Sequence, residues 1–116
     1  MERKETKMKQ CVIDKIESHL YKTCVKHPDF GVRLPKQTVL AAEASLRICR
    51  ENLVRKTSLG LVAPDDLLAC EMAEVWEAYA KGDIDNAIDE IYDAIAVLVR
   101  LVARLEAEKK KKEVTK

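Results

Sequence analysis

Residues that break a backbone are scarce in this chain, with three glycines and three prolines among 116 residues. No strand pattern competes for the long stretches left between them. Charge of one sign is also lacking: 21 basic side chains nearly cancel 20 acidic ones. A nucleic-acid partner would ordinarily show as a basic surplus, so none is expected. The basic residues that do cluster lie at the ends, in Arg3, Lys4, Lys7 and Lys9 and in the Lys109–Lys112 run of the 109–116 tail. Both clusters read as solvated, frayed ends rather than binding patches. The longest uncharged stretch near the middle of the apolar region, Ala94 to Val99, is far too short for a membrane span. The charged start does not read as a signal peptide.

Zinc-ligand spacing is missing as well. Cys11, Cys24, Cys49 and Cys70 lie far apart and form no Cys-x-x-Cys. Each falls in an apolar helical pattern and is expected as a buried, reduced thiol, which points to the cytoplasm. The two histidines, His19 and His27, form no Glu-x-x-His, the motif a di-iron carboxylate bundle needs on two helices.

What is present is helical periodicity. At this length a single domain with one core is expected. Breaks at 27–35, 58–64 and 81–83 separate four segments. The first, 5–26, holds Met8, Cys11, Val12, Ile16, Leu20 and Cys24 at helical spacing. The second, about 36–54, has Pro35 near its start and draws its core face from Val39, Leu40, Leu46, Ile48, Leu53 and alanines. The third, 64–81, opens on Pro64 with Asp65 and Asp66 in its first turn, and Gly82 closes it. The fourth, 84–110, carries a stripe of period 3.6: Ile84, Ile88, Ile91, Ile95, Leu98, Val102 and Leu105. Four helices with short connections predict an all-α, antiparallel four-helix bundle.

Two pairs of acids stand out against this apolar background. Glu71 and Glu74 lie on the third helix, Glu90 and Asp93 on the fourth. A spacing of three sets the two acids of each pair roughly 60° apart on one helix face. Glu71 and Glu74 sit beside an apolar stripe of Leu68, Met72, Val75, Trp76 and Tyr79, on a helix apolar almost all round. They are expected to point into the bundle or an interface, where a carboxylate without a partner is costly. On the fourth helix one line reads Asn86, Glu90, Asp93, Val97, Arg100, Arg104. Acids come first and cations follow, with Arg100 roughly 10 Å beyond Asp93. An Mg²⁺ held by the acids and a polyphosphate reaching toward the arginines fit that order. The spacing alone does not decide the matter, because Glu2/Glu5, Asp14/Glu17 and Glu74/Glu77 share it.

With these residues in place, the chain resembles the MazG-like all-α nucleoside triphosphate pyrophosphohydrolases. That superfamily carries Glu-Glu-x-x-Glu on one helix and Glu-x-x-Asp on the next. Cys70-Glu71-Met72-Ala73-Glu74 matches the first except at its leading position, where cysteine replaces glutamate. Glu90-Ile91-Tyr92-Asp93 matches the second, after an intervening fifteen residues. The flanking text, Glu74 to Asp83 and Ala94 to Arg100, is similar to bacterial and phage-borne members, and the resemblance covers about residues 64–105. It implies that Glu71, Glu74, Glu90 and Asp93 are catalytic and bind Mg²⁺, with Mn²⁺ as an alternative ion. It implies cleavage of an NTP or dNTP between the α and β phosphates, giving a nucleoside monophosphate and pyrophosphate.

Further residues could reach the substrate. Arg100 and Arg104 either meet phosphate or face solvent, and the same choice holds for Arg50 and Asn52 at the end of the second helix. Trp76, with Tyr79, either stacks on a base or belongs to the core. Cys70 keeps a second function class open: a catalytically inactive bundle serving as an assembly or regulatory module. Under either reading the third helix is apolar on too many faces for a lone small bundle, so a homodimer or homotetramer is expected.

Overall fold

The computed structural model describes residues 8–29, 31 and 33–115. Every regular element among them is helical: α1 (Gln10–Lys26), α2 (Val39–Ser58), α3 (Pro64–Ala80) and α4 (Ile84–Thr115). The chain divides into two compact units at Leu34/Pro35. The expected start of the first helix at residue 5 lies outside the described residues.

In the first unit, α1 is a single helix and buries none of its residues. A lone helix cannot cover its own stripe, so Cys11 and Cys24 are exposed rather than buried. Cys49 is half-buried, and Cys70 alone of the four lies in the core. The expectation of four buried thiols is corrected accordingly.

In the second unit, α3 packs against α2 on one side and α4 on the other. Its nearly all-round apolar character is what allows this. The core comprises Ala42 and Leu46 of α2, Cys70, Val75 and Ala78 of α3, and Ala87 and Ala94 of α4. Four of the seven are alanines, small enough for backbones to approach closely. On α2, Leu46 is buried, whereas Val39, Leu40 and Ile48 are exposed, which corrects the face read from periodicity.

Local chemistry sets the helix ends. Thr38, not Pro35, starts α2: its Oγ1 accepts from the Ala41 N–H at 3.1 Å. Proline has no side-chain acceptor for such a cap, and Pro35 stays outside the helix. At the C-terminus of α2, Gly60 takes φ +68°, and Leu61 N–H donates to Lys56 O at 2.9 Å. At the end of α3, Gly82 takes φ +78°, and Asp83 N–H donates to Ala78 O at 3.0 Å. Both closures are left-handed caps that satisfy otherwise orphaned carbonyls, and both need glycine. Asp83 then begins α4 by accepting from the Asn86 N–H at 3.2 Å. Three residues, Lys81, Gly82 and Asp83, thus connect the helices that carry the two acid pairs.

The start of α3 is tied to the end of α2 through one carboxylate. Asp66 accepts from the Ala63 N–H at 3.0 Å, from Lys56 Nζ at 2.9 Å and from Asn52 Nδ2 at 3.3 Å. These bonds hold its carboxyl below the usual range, the Ala63 backbone contributing most and Lys56 next.

Candidate metal centre

Helix periodicity explains why the acids meet. On α3, Glu71 lies one turn ahead of buried Val75, and Glu74 one turn ahead of buried Ala78. On α4, Glu90 lies between buried Ala87 and Ala94 on the face against α3. The alanines let the two helices close, and Glu90 is carried in against the acids of α3.

Carboxylate oxygens of Glu71, Glu90 and Asp93 all lie within 4.8 Å of one another. Glu71 and Glu90 are half-buried and Asp93 is exposed, so the cluster has a dry side and an open side. Glu71 Oε2 and Glu90 Oε2 are buried with no hydrogen-bond partner. Orphaned buried oxygens are costly and call for a partner. An oxygen-only donor set of three carboxylates suits a hard divalent cation.

Glu74 divides its contacts between this trio and α2. It pairs with Arg50 of α2 at 3.6 Å and lies beside Glu90. Hydrogen bonding with Glu74, then desolvation, then the charges of Glu74, Asp93 and Glu71 push Glu90 up to about 7. Burial, followed by the charges of Glu74 and Asp93, raises Glu71 above the ordinary carboxylate range. Without a cation the cluster therefore carries a proton near neutrality. Burial, aided by Cys49 and Glu74, also raises the Cys70 thiol, against a smaller opposing effect of Arg50. Cys70 is thus a neutral core thiol standing immediately before the acids.

The remaining candidates are distributed around this centre. Arg50 lines a groove of about 420 Å³ on α2 with Leu46, Arg47, Val54 and Glu77. Arg100 and Arg104 line a separate cleft of about 270 Å³ with Pro64 and Leu67 at the start of α3. Arg104 also pairs with Glu108 at 3.8 Å. Asn52 is committed to Asp66, and accepts from Arg55 at 2.7 Å. Trp76 meets Tyr79 edge-to-face, with ring centroids 6.2 Å apart. The sequence reading overlooked Lys56 and the bridging role of Asp66. No local pattern announces them, because their partners come from a different helix.

Comparison with known proteins finds no matching family model, no matching curated protein and no matching solved structure. No helix among the described residues is long and apolar enough to cross a membrane.

Proposed function

We propose that the protein is a Mg²⁺-dependent nucleotide pyrophosphohydrolase of MazG-like type, with Mn²⁺ as an alternative ion. The observation that carries this reading is the pair of orphaned buried oxygens, Glu71 Oε2 and Glu90 Oε2, in a cluster with Asp93. Glu71, Glu90 and Asp93 hold the cation, and Glu74 joins them when it leaves Arg50. Bound there, the ion supplies Lewis-acid polarisation of a phosphoryl oxygen. Hydrolysis adds water across the α–β anhydride of an NTP or dNTP, giving a nucleoside monophosphate and pyrophosphate. A carboxylate of the cluster not engaged with the ion accepts the proton of the attacking water. Arg100 and Arg104, and Arg50 once released, bind phosphate oxygens, and Trp76 offers a ring to the base.

The same reading completes the fold as an antiparallel four-helix bundle within a homodimer or homotetramer, working in the reducing cytoplasm. Incubation with a panel of nucleoside triphosphates and Mg²⁺ tests the activity. Pyrophosphate release from at least one nucleotide is expected, and its absence from every one, with the fold intact, ends the enzymatic claim.

One observation favours a second reading, an inactive bundle that serves as an assembly or regulatory module. Cys70 stands where the motif has its leading glutamate, and it is buried with its thiol held neutral. It offers neither a ligand nor a base. Calorimetric titration with Mg²⁺ or Mn²⁺ separates the two: a module without a metal centre gives no heat, and Glu90→Gln leaves it unchanged.

A further inference from the structure

The cleft between the start of α3 and the middle of α4 carries charge of one sign. Its volume is about 270 Å³, and it is lined by Pro64, Leu67, Val97, Arg100, Leu101 and Arg104. The arginines are its only charged residues, and the other walls are apolar. A concavity with apolar walls and cations alone concentrates positive potential and draws in anions. The groove on α2 differs, because its Arg47, Arg50 and Arg55 are matched by Glu43, Glu51 and Glu77.

Helix chemistry alone does not account for the two arginines. Arg100 and Arg104 stand four residues apart, where like charges repel on a helix face. The positions three and four residues from Arg100 hold Ala96, Val97, Ala103 and Arg104, so no acid of its own helix offsets it. Among the described residues Arg100 forms no ion pair, and Arg104 has only Glu108 at 3.8 Å, with both side chains more than half exposed. Neither lies in the last turn, where the helix dipole would favour a cation, because α4 continues to Thr115.

The cleft also adjoins the acid cluster. Leu67 is one turn ahead of Glu71 on α3, and Val97 is one turn beyond Asp93 on α4. Arg100 lies roughly 10 Å along the axis from Asp93. Helical side chains lean toward the N-terminus, so its long side chain reaches back toward the acids. The cleft is smaller than the roughly 300–1,000 Å³ of a pocket for an organic ligand, a size that suits phosphate groups rather than a nucleoside.

We propose that this cleft is a pyrophosphate subsite, in which Arg100 and Arg104 hold the β and γ phosphates of a nucleoside triphosphate or inorganic pyrophosphate itself. The substrate then lies with its phosphate tail toward the start of α3, and its chain length is read there. A nucleoside diphosphate, with its anhydride set at the acids, has no γ phosphate to meet the arginines. The nucleotide part rests on the hydrolase reading above, whereas the anion site rests on the cleft alone.

The test is calorimetric titration of the full chain with inorganic pyrophosphate in metal-depleted buffer at low ionic strength. The wild type binds it at submillimolar concentration. Arg100→Gln combined with Arg104→Gln weakens binding roughly tenfold or more, the scale of lost hydrogen bonds to a charged group. Arg47→Gln, in the groove on α2, leaves it unchanged, and melting curves without the anion confirm that both variants are folded. A wild type that does not bind pyrophosphate overturns the proposal. So does binding that the double variant retains, or that Arg47→Gln lowers equally. Kinetics separates the subsite from the hydrolase reading. With a hydrolysed triphosphate, the double variant raises KM about tenfold and narrows the wild-type preference for triphosphate over diphosphate. An unchanged preference overturns the chain-length assignment. A wild type that binds pyrophosphate yet hydrolyses no nucleotide ends the hydrolase reading and supports the anion site.

Discussion

Arg50 of α2 reaches Glu74 of α3 at 3.6 Å and so keeps one of the four motif acids in an ion pair rather than in the carboxylate trio. The pair is lopsided: the Arg50 side chain is 60% exposed and Glu74 only 25%. Its own worth is therefore small, but its position is not. It places a positive charge beside a site that would take a cation, and it withholds a ligand. Arg50→Ala is expected to tighten Mg²⁺ binding by roughly two- to fivefold, the scale of one screened charge at this range. If Arg50 also meets phosphate, the same variant raises KM for a nucleotide while metal affinity improves. Calorimetry and initial-rate kinetics on one preparation check both. Weaker metal binding in this variant would show that Arg50 orients Glu74 as a ligand instead of holding it back.

The buried oxygens of Glu71 and Glu90 predict a trade between stability and binding. With no cation present, three carboxylates within 4.8 Å repel one another, and two of them are partly desolvated. Glu90→Gln removes one charge and supplies a donor to its neighbours. The metal-free variant is expected to melt a few degrees above the wild type and to bind Mg²⁺ at least tenfold more weakly. Wild-type protein should gain stability with added Mg²⁺ and the variant should not. Melting curves with and without the ion measure both. A variant that loses stability without metal would mean that Glu90 is held by partners and is not strained.

The acids were legible in the sequence because three-residue spacing on a helix fixes a face, and because apolar neighbours imply that the face is covered. Helix existence was legible for the same periodic reason. The partners were not. Glu74 turns toward Arg50 and Asn52 toward Asp66 because of how α2 and α3 slide against each other, and no spacing within either helix encodes that. Ile48 and Leu46 lie about 160° apart on the wheel, and the sequence offers apolar residues on both faces; only the contact with α3 decides that Leu46 is the buried one. The stripe of α4 shows the same limit in another form. Periodicity says that a face wants to be covered, not by what, and the α3 contact falls on the alanine face instead.

Proton and cation compete for the cluster. Glu90 titrates near 7 in the folded, metal-free protein, against about 4.5 for an ordinary glutamate. Because its folded value is raised, the folded state holds a proton that the unfolded state has lost between these two values. Metal-free stability is therefore expected to fall as pH rises from about 4.5 through about 7. Mg²⁺ affinity runs the other way, rising over the same interval and levelling above it, with proton release on binding. Titrations at pH 6 and pH 8, each in two buffers of different ionisation enthalpy, report the affinity and the protons together. A pH-independent affinity would remove Glu90 from the ligand set.

Asp66 works with the opposite sign. Its carboxyl is held below its ordinary value of 3.8 by the Ala63 N–H, by Lys56 and by Asn52. Its contribution is fully present above that value and is lost as pH falls through the lowered one. Asp66→Ala removes the cap on α3 and frees both α2 partners, and is expected to lower the melting temperature and to raise the pH of acid unfolding. Asp66→Asn can still accept from the Ala63 N–H but forms no ion pair with Lys56, and falls between the two. Circular dichroism followed from pH 7 to pH 2 ranks the three proteins. Identical acid transitions would mean that the bridge is not formed in solution.

The α2·α3 contact rests on a narrow base, which makes its core residues sensitive. Leu46 is 1% exposed and, with Val75, is one of the two large side chains fully buried among the described residues. Four residues beyond Leu46 is Arg50, so Leu46 also seats the turn that presents the guanidinium to Glu74. Leu46→Ala is expected to cost about 2–5 kcal/mol through lost burial and the cavity left behind, a large share of the roughly 5–15 kcal/mol that holds an ordinary domain together. Ile48, of similar size on the same helix, is 66% exposed. Ile48→Ala is expected to cost about 0.5 kcal/mol or less. Urea unfolding of the two variants measures the contrast directly. Equal losses would show that α2 presents a different face to α3, and the Arg50–Glu74 pairing would then have to be redrawn as well.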